Sequence, residues 1–301
     1  MTKPIQILLQ TTIPTDEDDW YIGRFSLLRD YLASLKSETG EPLYQVTARD
    51  RQSAAGENDP VLSSLEDSDF DQLWLFAVDI GDGITPKECE SISAFRQRGG
   101  GLLVTRDHQD LGSCVCNLGG VGSAHYFHSQ NPEPDPSRHC PDNIDNKSIS
   151  WPNYDSGLNG DYQKIIPQEP LHDLLKNLSF SGEIEFFPAH PHEGAVGVPA
   201  NEKNARVIAV GTSLVSGRNF NLVVAFDSVE DEEGNILGRA IAQSSFHHFA
   251  DYNWDTDLGS PSFVSEPPGE GMKQNQQALE DIQAYVRNAA LWLTSNTVRL
   301  R

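Results

Sequence analysis

The sequence predicts an α/β protein with a mostly parallel β-sheet. Apolar segments of strand length alternate with helical patterns along the chain, and the early segments are almost continuously apolar. Strands covered by helices on both faces have this composition, whereas strands with one face in water alternate between apolar and polar residues. Strands are expected at residues 5–9, 44–48, 73–78, 102–105, 184–187, 207–210, 222–226 and 240–242.

Three helices are predicted around this sheet. Residues 19–35 carry apolar side chains at near-helical spacing. A second helix begins at Pro86, because proline is favoured in the first helical turn, and ends near Arg98 ahead of three glycines. Residues 276–294 form the third helix, whose single apolar stripe predicts packing against the sheet.

Two long segments interrupt the alternation. Residues 117–170 are rich in Gly, Pro, Asn, Asp and Ser, and residues 251–273 have the same character. Long insertions in a compact domain are commonly lids or binding loops, with a surface excursion without function as the alternative. We expect one domain over residues 1–301, with 117–170 as an irregular insertion or lid and 251–273 as the loop before the last helix.

The amino-acid composition limits the kinds of partner that the protein can bind. Forty-four acidic residues against 22 basic ones give a net charge of -22, which repels phosphate backbones and anionic membrane surfaces. No apolar run approaches the roughly 20 residues of a membrane-spanning helix, and the N-terminal residues lack a signal-peptide pattern. We therefore expect a cytoplasmic protein that binds a small molecule, not nucleic acid or a membrane. The formation of a homo-oligomer stays open.

Four cysteines are too few for a disulfide scaffold of this size and fit a reducing compartment. Cys114 and Cys116, together with His139 and Cys140, offer one alternative, a structural zinc site. The C-x-C spacing differs from the common zinc knuckles, which favours buried structural thiols.

The turn after the strand at 102–105 is the first candidate site, because ligands gather at the carboxyl ends of strands in open α/β sheets. It carries Asp107, His108 and Asp110. The two carboxylates have an alternative role as caps of a helix that begins near His108. A helix N-terminus disfavours a cation, so His108 should stay neutral and fit as a general base or a metal ligand.

Two further histidine pairs follow apolar strand candidates. His190 and His192 flank a proline that keeps the chain extended, so both side chains point to the same side, and Glu193 comes next. His247 and His248 are adjacent, so only one of them should face a shared site if the chain is extended. Solvent-facing or packed histidines are the alternative for each pair.

A parallel sheet brings these segments to one edge, which predicts a single histidine and carboxylate pocket. The predicted catalytic residues are Asp107, His108 and Glu193. The predicted metal ligands are Asp110, His190, His192, His247 and His248. Such ligands suit Zn, Mn or Fe, and acid–base catalysis without metal is the alternative. No nucleotide cofactor is expected, since residues 119–122 lack the lysine and the spacing of a phosphate-binding loop.

The chain resembles the class I glutamine amidotransferase-like superfamily and within it is most similar to the ThuA-like (trehalose utilisation) group. The resemblance rests on residues 98–104 ahead of the turn, on His190-Pro191, and on a late strand from Gly238 that ends in histidine before the last helix. It implies a flavodoxin-like three-layer sandwich with residues 117–170 as an addition.

The resemblance also bears on the activity. Amidotransferases carry a cysteine nucleophile at the elbow, where this chain has Asp107-His108, and Cys114 lies too far along the chain. Cysteine-dependent amide transfer is therefore not expected. ThuA-like proteins also lack that cysteine and are associated with sugar metabolism, which implies a carbohydrate-related substrate.

Together these observations predict an enzyme that performs acid–base or metal-assisted hydrolysis on a small polar, sugar-like molecule. His108 would act as base or ligand and Glu193 as proton shuttle. Aromatic residues of the loops are candidates to stack on a sugar ring: Trp20, Tyr126, Phe127, Trp151, Tyr154 and Trp254. The alternative is a non-catalytic binding or scaffold protein that retained the fold.

Overall fold

The computed structural model describes residues 3–15, 19–139, 141–143, 146, 148–177, 182–230 and 234–294. The central sheet consists of β1 (Ile5–Thr11), β2 (Tyr44–Arg49), β3 (Gln72–Phe76), β4 (Gly101–Thr105), β5 (Ile166–Pro167), β6 (Ala205–Thr212), β7 (Asn219–Phe226) and β8 (Ala240–Gln243). The α-helices are α1 (Ser26–Ser34), α2 (Pro86–Gln97), α3 (Asp251–Trp254), α4 (Gly271–Gln274) and α5 (Gln276–Leu293).

The strand order across the sheet is β2-β1-β3-β4-β8-β7-β6-β5. The first five strands in this order pair in parallel, and β7, β6 and β5 extend the sheet with antiparallel pairing. A parallel run in the order 2-1-3-4-5 is the flavodoxin-like arrangement, with β8 in the fifth place here. The predicted fold class is therefore confirmed.

Helices cover both faces of the sheet and make it the middle layer of three. Leu28 of α1 and Ile282 of α5 belong to the core on one face, and Ile92 of α2 belongs to the core on the other. Successive residues of β1, Leu8 and Leu9, point into opposite cores, which explains why the strand is continuously apolar. Among the described residues, none of the helices combines the length and the apolar character needed to cross a membrane.

The structure corrects the bounds of some predicted elements. The helix predicted from residue 19 begins at Ser26, after a 3₁₀ turn at Ile22–Phe25. Its start is set by Asp251, whose carboxylate accepts hydrogen bonds from the backbone amides of Ser26 (3.0 Å) and Leu27 (2.8 Å). A cap supplied from more than 200 residues away is invisible to local sequence patterns.

Two other predicted segments also differ. The strand expected at 184–187 lies outside the central sheet, where Phe186–Pro188 pairs with Tyr162–Lys164. Residues 251–273 contain α3, a 3₁₀ turn at Thr256–Leu258 and the start of α4, so this segment is only partly a loop. Within 117–170, short strands and 3₁₀ turns replace regular helices, and one of these strands is the sheet edge β5.

The three glycines before β4 are explained by close packing. Gly99 has a φ of +94°, a conformation that favours glycine. A Cβ on Gly100 would overlap the ring of Phe95 in α2, and a Cβ on Gly101 would lie 2.9 Å from the Cβ of Leu293 in α5. The start of β4 therefore contacts helices from both outer layers.

Replacing Gly101 with alanine should destabilise the protein by about 1–3 kcal/mol, because the added methyl group overpacks the contact with Leu293. Urea denaturation followed by circular dichroism would measure the change. Gly40→Asn is the matched control, since nothing lies within 4 Å of that position and asparagine tolerates its φ of +85°. Equal stability of Gly101→Ala and wild type would contradict the packing argument.

Candidate functional site

The ends of β4 and β8 bring two of the predicted segments together. The two strands pair in parallel with Thr105 opposite Gln243, so they end at the same edge of the sheet. Asp107 follows β4 by two residues. His247 follows β8 in a 3₁₀ turn over Phe246–Phe249. The register of this one strand pair therefore sets the separation between Asp107 and His247.

The third segment crosses between these two strand ends. Gly194 donates its amide to the carbonyl oxygen of Ser244 at 3.2 Å. A Cβ on Gly194 would lie 2.7 Å from the carbonyl oxygen of Asp107, so only glycine allows this approach. The crossing places His190, four residues earlier, beside Asp107.

Arg106 holds the turn after β4. Its guanidinium is buried and donates to the carbonyl oxygens of Asp107, Gln109 and Tyr126, the Gln109 bond being 2.9 Å long. The group also lies 3.9 Å from the ring centroid of Phe127. Burial lowers the pKa of Arg106 to about 9, which still leaves it charged at neutral pH. The Arg106 side chain thus fixes the backbone of the turn after β4.

The predicted capping roles in this turn are wrong, because no helix begins near His108. The first helical residues after β4 are the 3₁₀ turn Ser113–Leu118. Asp110 instead accepts hydrogen bonds from the amide and hydroxyl groups of Ser129, both at 2.9 Å. Asp110 therefore does not join the other predicted metal ligands in the structure.

Asp107, His190 and His247 form the centre of the site, and all three are buried. Oδ1 of Asp107 lies 3.6 Å from Nε2 of His190, and Oδ2 lies 3.6 Å from Nε2 of His247. The two imidazoles stack with centroids 3.3 Å apart and planes 16° from parallel. Their potential ligand atoms all lie within 4.8 Å of one another, which is close enough for the three residues to hold one metal ion.

An asparagine faces the other ring nitrogen of each of these histidines. Oδ1 of Asn159 lies 2.9 Å from Nδ1 of His190, and Oδ1 of Asn253 lies 3.3 Å from Nδ1 of His247. Neither asparagine can be identified from the sequence, because an isolated asparagine in a loop carries no pattern of its own. Their proximity to the histidines depends entirely on the fold.

Several polar atoms in this centre are buried without a hydrogen-bond partner. In the part of the chain that the structure describes, they are Oδ1 of Asp107, Nδ1 of His108 and Nε2 of His190. Unpaired buried polar atoms are costly and uncommon in folded proteins. Two of these atoms are ring nitrogens 3.3 Å and 3.6 Å from the third, the Asp107 oxygen, so the unpaired groups are concentrated at one point.

The pKa shifts describe the protonation states of the centre. Burial opposes ionisation of Asp107, but the neighbouring His108 and His247 imidazoles outweigh it and hold the pKa of this carboxyl well below its usual range. Burial, reinforced by His247, holds the pKa of His190 well below the usual histidine value. An anionic carboxylate and a neutral imidazole are the forms in which these groups bind metals.

His108 and His192 lie on the more exposed side of the centre. Nδ1 of His108 is 3.3 Å from Oδ1 of Asp107, and 17% of its side chain is accessible, against 4% for His190 and His247. The ring of His192 lies 5.1 Å from that of His108 and 5.3 Å from that of His190. Burial, followed by His108, lowers the pKa of His192 to about 4.

Glu193 and His248 form a second pair that is separate from this centre. Nε2 of His248 lies 2.9 Å from Oε1 of Glu193, and neither side chain is exposed to solvent. The carboxylate also accepts bonds from Ser156, Gln163 and Ser244. Both side chains are fully buried, and the carboxylate oxygens already accept hydrogen bonds from protein groups. This argues against the predicted proton-shuttle role of Glu193 and the predicted ligand role of His248.

The remaining predicted residues are structural in the described part of the chain. The loop aromatics proposed for stacking are each at most 8% exposed and anchor loops in the core. Cys114 is buried with its thiol 2.8 Å from the carboxylate of Asp79. Cys140 lies outside the described residues, and no metal-ligating group among the described residues includes a cysteine.

Glu193→Gln should destabilise the protein by about 3 kcal/mol, because a buried hydrogen-bonded carboxylate is replaced by an amide whose NH₂ faces the donors of Gln163 or Ser244. Thermal and urea unfolding would measure the loss. Glu41→Gln, at an exposed position, should change stability by less than about 0.5 kcal/mol. A Glu193→Gln variant as stable as wild type would refute the structural role.

No family model and no curated protein matches this sequence. Solved structures similar to the chain include a ThuA-like protein from Bacteroides uniformis, with 11% identity over 100% of this chain and 97% of that chain and a TM-score of 0.48. A ThuA-like protein from Parabacteroides merdae matches with 15% identity over 98% and 93% and a TM-score of 0.47. The glutaminase domain of Trypanosoma brucei CTPS, with bound acivicin, matches with 13% identity over 97% of each chain and a TM-score of 0.47. The chain is thus similar to two ThuA-like proteins and to a CTPS glutaminase domain, and this likeness concerns the fold alone.

Proposed function

We propose that this protein is a metal-dependent hydrolase of small polar molecules, in which Asp107, His190 and His247 hold a divalent ion. The observation that carries the proposal is the pair of 3.6 Å separations between the Asp107 oxygens and the two Nε2 atoms. This distance is too long for a hydrogen bond. Each distance is close to the roughly 3.3–3.6 Å that separates two ligands about 2.0–2.2 Å from one tetrahedral ion. Because the two distances involve different oxygens, the carboxylate would turn or bind through both of them.

Two histidines and one carboxylate leave coordination positions open, as in catalytic rather than closed structural metal sites. This donor set suits Zn, Mn or Fe. Because the two imidazoles are stacked, one ring must tilt for both lone pairs to reach the same ion. An ion bound there would polarise a substrate oxygen or activate water at neutral pH.

The residues on the exposed side support a hydrolytic role. His108 lies beside Asp107 at the more accessible edge, where it can accept a proton from water or donate one to a leaving group. Trp20 packs edge-on against His247, and the neighbouring Phe263 is 55% exposed. Phe263 replaces the buried loop aromatics as the candidate surface for stacking on a sugar-like ring.

A cysteine nucleophile is not part of the proposal. Burial, followed by the charge of Asp79, holds the pKa of the Cys114 thiol well above its usual value, and burial raises that of Cys116 to about 11. Both thiols therefore stay protonated and weakly nucleophilic at neutral pH. We therefore assign catalysis to the histidine and carboxylate centre and not to a cysteine.

One observation favours a second candidate, a metal-binding protein without catalysis. Asp107, His190 and His247 are each only 3% exposed, so a substrate has little access to the ion in this conformation. A binding or scaffold protein would need the ion only for stability. Metal content does not separate the two candidates, whereas turnover does.

Purified protein should contain about one equivalent of Zn, Mn or Fe, and Asp107→Asn, His190→Gln and His247→Gln should each lower that content at least tenfold, because each removes one of three ligands. Elemental analysis by mass spectrometry after dialysis measures this. His139→Gln is the control, since this histidine is exposed and lies outside the group. If the three variants keep their metal and Cys116→Ser loses it, the result would instead support the cysteine-based zinc site.

His108→Ala should keep the metal and lower turnover by about 10²–10⁴-fold, because it removes the proton-transferring group at the accessible edge. The assay is a panel of sugar-derived esters, lactones and amides, tested with and without a chelator. Absence of any metal-dependent turnover in metal-loaded wild type would favour the binding protein. Loss of the metal itself in His108→Ala would make this histidine a ligand instead.

A further inference from the structure

A chain of buried hydrogen bonds connects the two candidate ligands His190 and His247 through their Nδ1 atoms. Asn253 is inaccessible to solvent and donates its Nδ2 group to the carbonyl oxygen of Ala189 at 3.0 Å and to Oδ1 of Asn159 at 2.8 Å. Its own Oδ1 faces Nδ1 of His247, and Oδ1 of Asn159 faces Nδ1 of His190. One asparagine pair thus contacts both imidazoles.

The Ala189 carbonyl fixes the orientation of the whole chain. A backbone carbonyl only accepts hydrogen bonds, so the atom of Asn253 that faces it must be the NH₂ group. The amide of Asn253 therefore presents its oxygen to His247. Its second N–H points at Asn159, so the facing atom of Asn159 must be its oxygen as well.

The orientation of both amides determines the tautomer of both histidines. An amide oxygen facing Nδ1 requires the ring to carry its proton there. His190 and His247 then keep the lone pair on Nε2, the atom that lies 3.6 Å from Asp107 in each case. Nε2 of His190 is buried without a hydrogen-bond partner, as expected for a lone pair that awaits a cation.

We propose that Asn159 and Asn253 are positioning residues that preset His190 and His247 in the Nδ1–H tautomer, so that both offer Nε2 to one ion beside Asp107. This inference rests on the proposed metal site. Partners on the distal nitrogen of a ligating histidine fix its ring and tautomer, and their loss typically costs about 10–100-fold in metal affinity. The backbone at Ala189, next to His190, thereby also controls the tautomer of His247.

The first test compares zinc affinity by competition with a chromophoric chelator, using Asn159→Leu, Asn253→Leu and Asn159→Asp. Both leucine variants remove the acceptor while keeping the size of the side chain, and zinc affinity should fall about 10–100-fold. Asn159→Asp keeps an acceptor oxygen for His190 and for the amide of Asn253, so its affinity should stay within about threefold of wild type or rise, because a carboxylate is the stronger acceptor.

Asn153→Leu is the matched control for the loss of a buried asparagine. Asn153 is also inaccessible, and its Oδ1 lies 3.0 Å from Nδ1 of His192, which is outside the Asp107, His190 and His247 group. This control should lose stability but keep zinc affinity within about threefold. Leucine variants at 159 and 253 with wild-type affinity, or an equal loss in Asn153→Leu, would overturn the assignment.

The second test does not depend on metal binding. Long-range ¹H–¹⁵N correlation spectra of metal-free protein labelled at the histidine rings report the tautomer of each imidazole, and His190→Gln and His247→Gln variants assign the signals. Both rings should carry the proton on Nδ1, and Asn253→Leu should shift both towards Nε2–H. An Nε2–H tautomer in the wild type would overturn the inference. Wild type that has the expected tautomers but binds no zinc would instead refute the proposed function.

Discussion

The buried carboxylate of Asp107 is the constraint on which the site depends. A carboxylate whose side chain is only 5% exposed has lost most of its hydration, and that loss must be offset by hydrogen bonds or by positive charge. The nearest guanidinium, that of Arg106, directs its hydrogen bonds to backbone carbonyls instead of to this carboxylate. Nε2 of His190 and Nε2 of His247 lie 3.6 Å from the carboxylate oxygens, beyond hydrogen-bonding distance, and Nδ1 of His108, at 3.3 Å, makes no hydrogen bond to them. A bound cation is the partner that would satisfy the oxygens and the nitrogens together.

The two histidine–carboxylate pairs at this edge of the sheet show why residue type alone does not define a functional site. The oxygens of Glu193 accept bonds from His248, Ser156, Gln163 and Ser244, so its charge is compensated within the protein. Asp107 has comparable neighbours but leaves Oδ1 unpaired. The two groups are equivalent as sequence patterns, and only the pattern of hydrogen bonds separates the carboxylate that is fully paired from the one that is not.

The limits of sequence-based prediction follow from the range of the interactions involved. Continuous apolar strands and the stripe of α5 reflect burial along one element, so they predicted the layers of the fold. The proximity of Asp107 and His247 follows from the rule that parallel strands end at one edge. His190 follows a strand outside the central sheet and reaches Asp107 through the crossing at Gly194, which that rule does not predict. The 3₁₀ turn at Phe246–Phe249 directs His247 and His248 to different carboxylates, and the hydrogen bonds from Ser129 hold Asp110 away from the centre. Neither effect is visible in the sequence.

The two segments that lack regular patterning supply the hydrogen-bond partners of His190 and His247, and this changes what those segments are for. Asn159 comes from the insertion at 117–170 and Asn253 from the segment at 251–273, and the two asparagines bond to each other beneath the site. A lid contacts substrate and opens, whereas buried amides that orient ligands must stay fixed. The parts of these segments next to the asparagines therefore belong to the rigid framework of the site. Phe263, which is 55% exposed and contacts Trp20, is the accessible aromatic ring nearest to this framework in the ring-to-ring contacts that lead to His247.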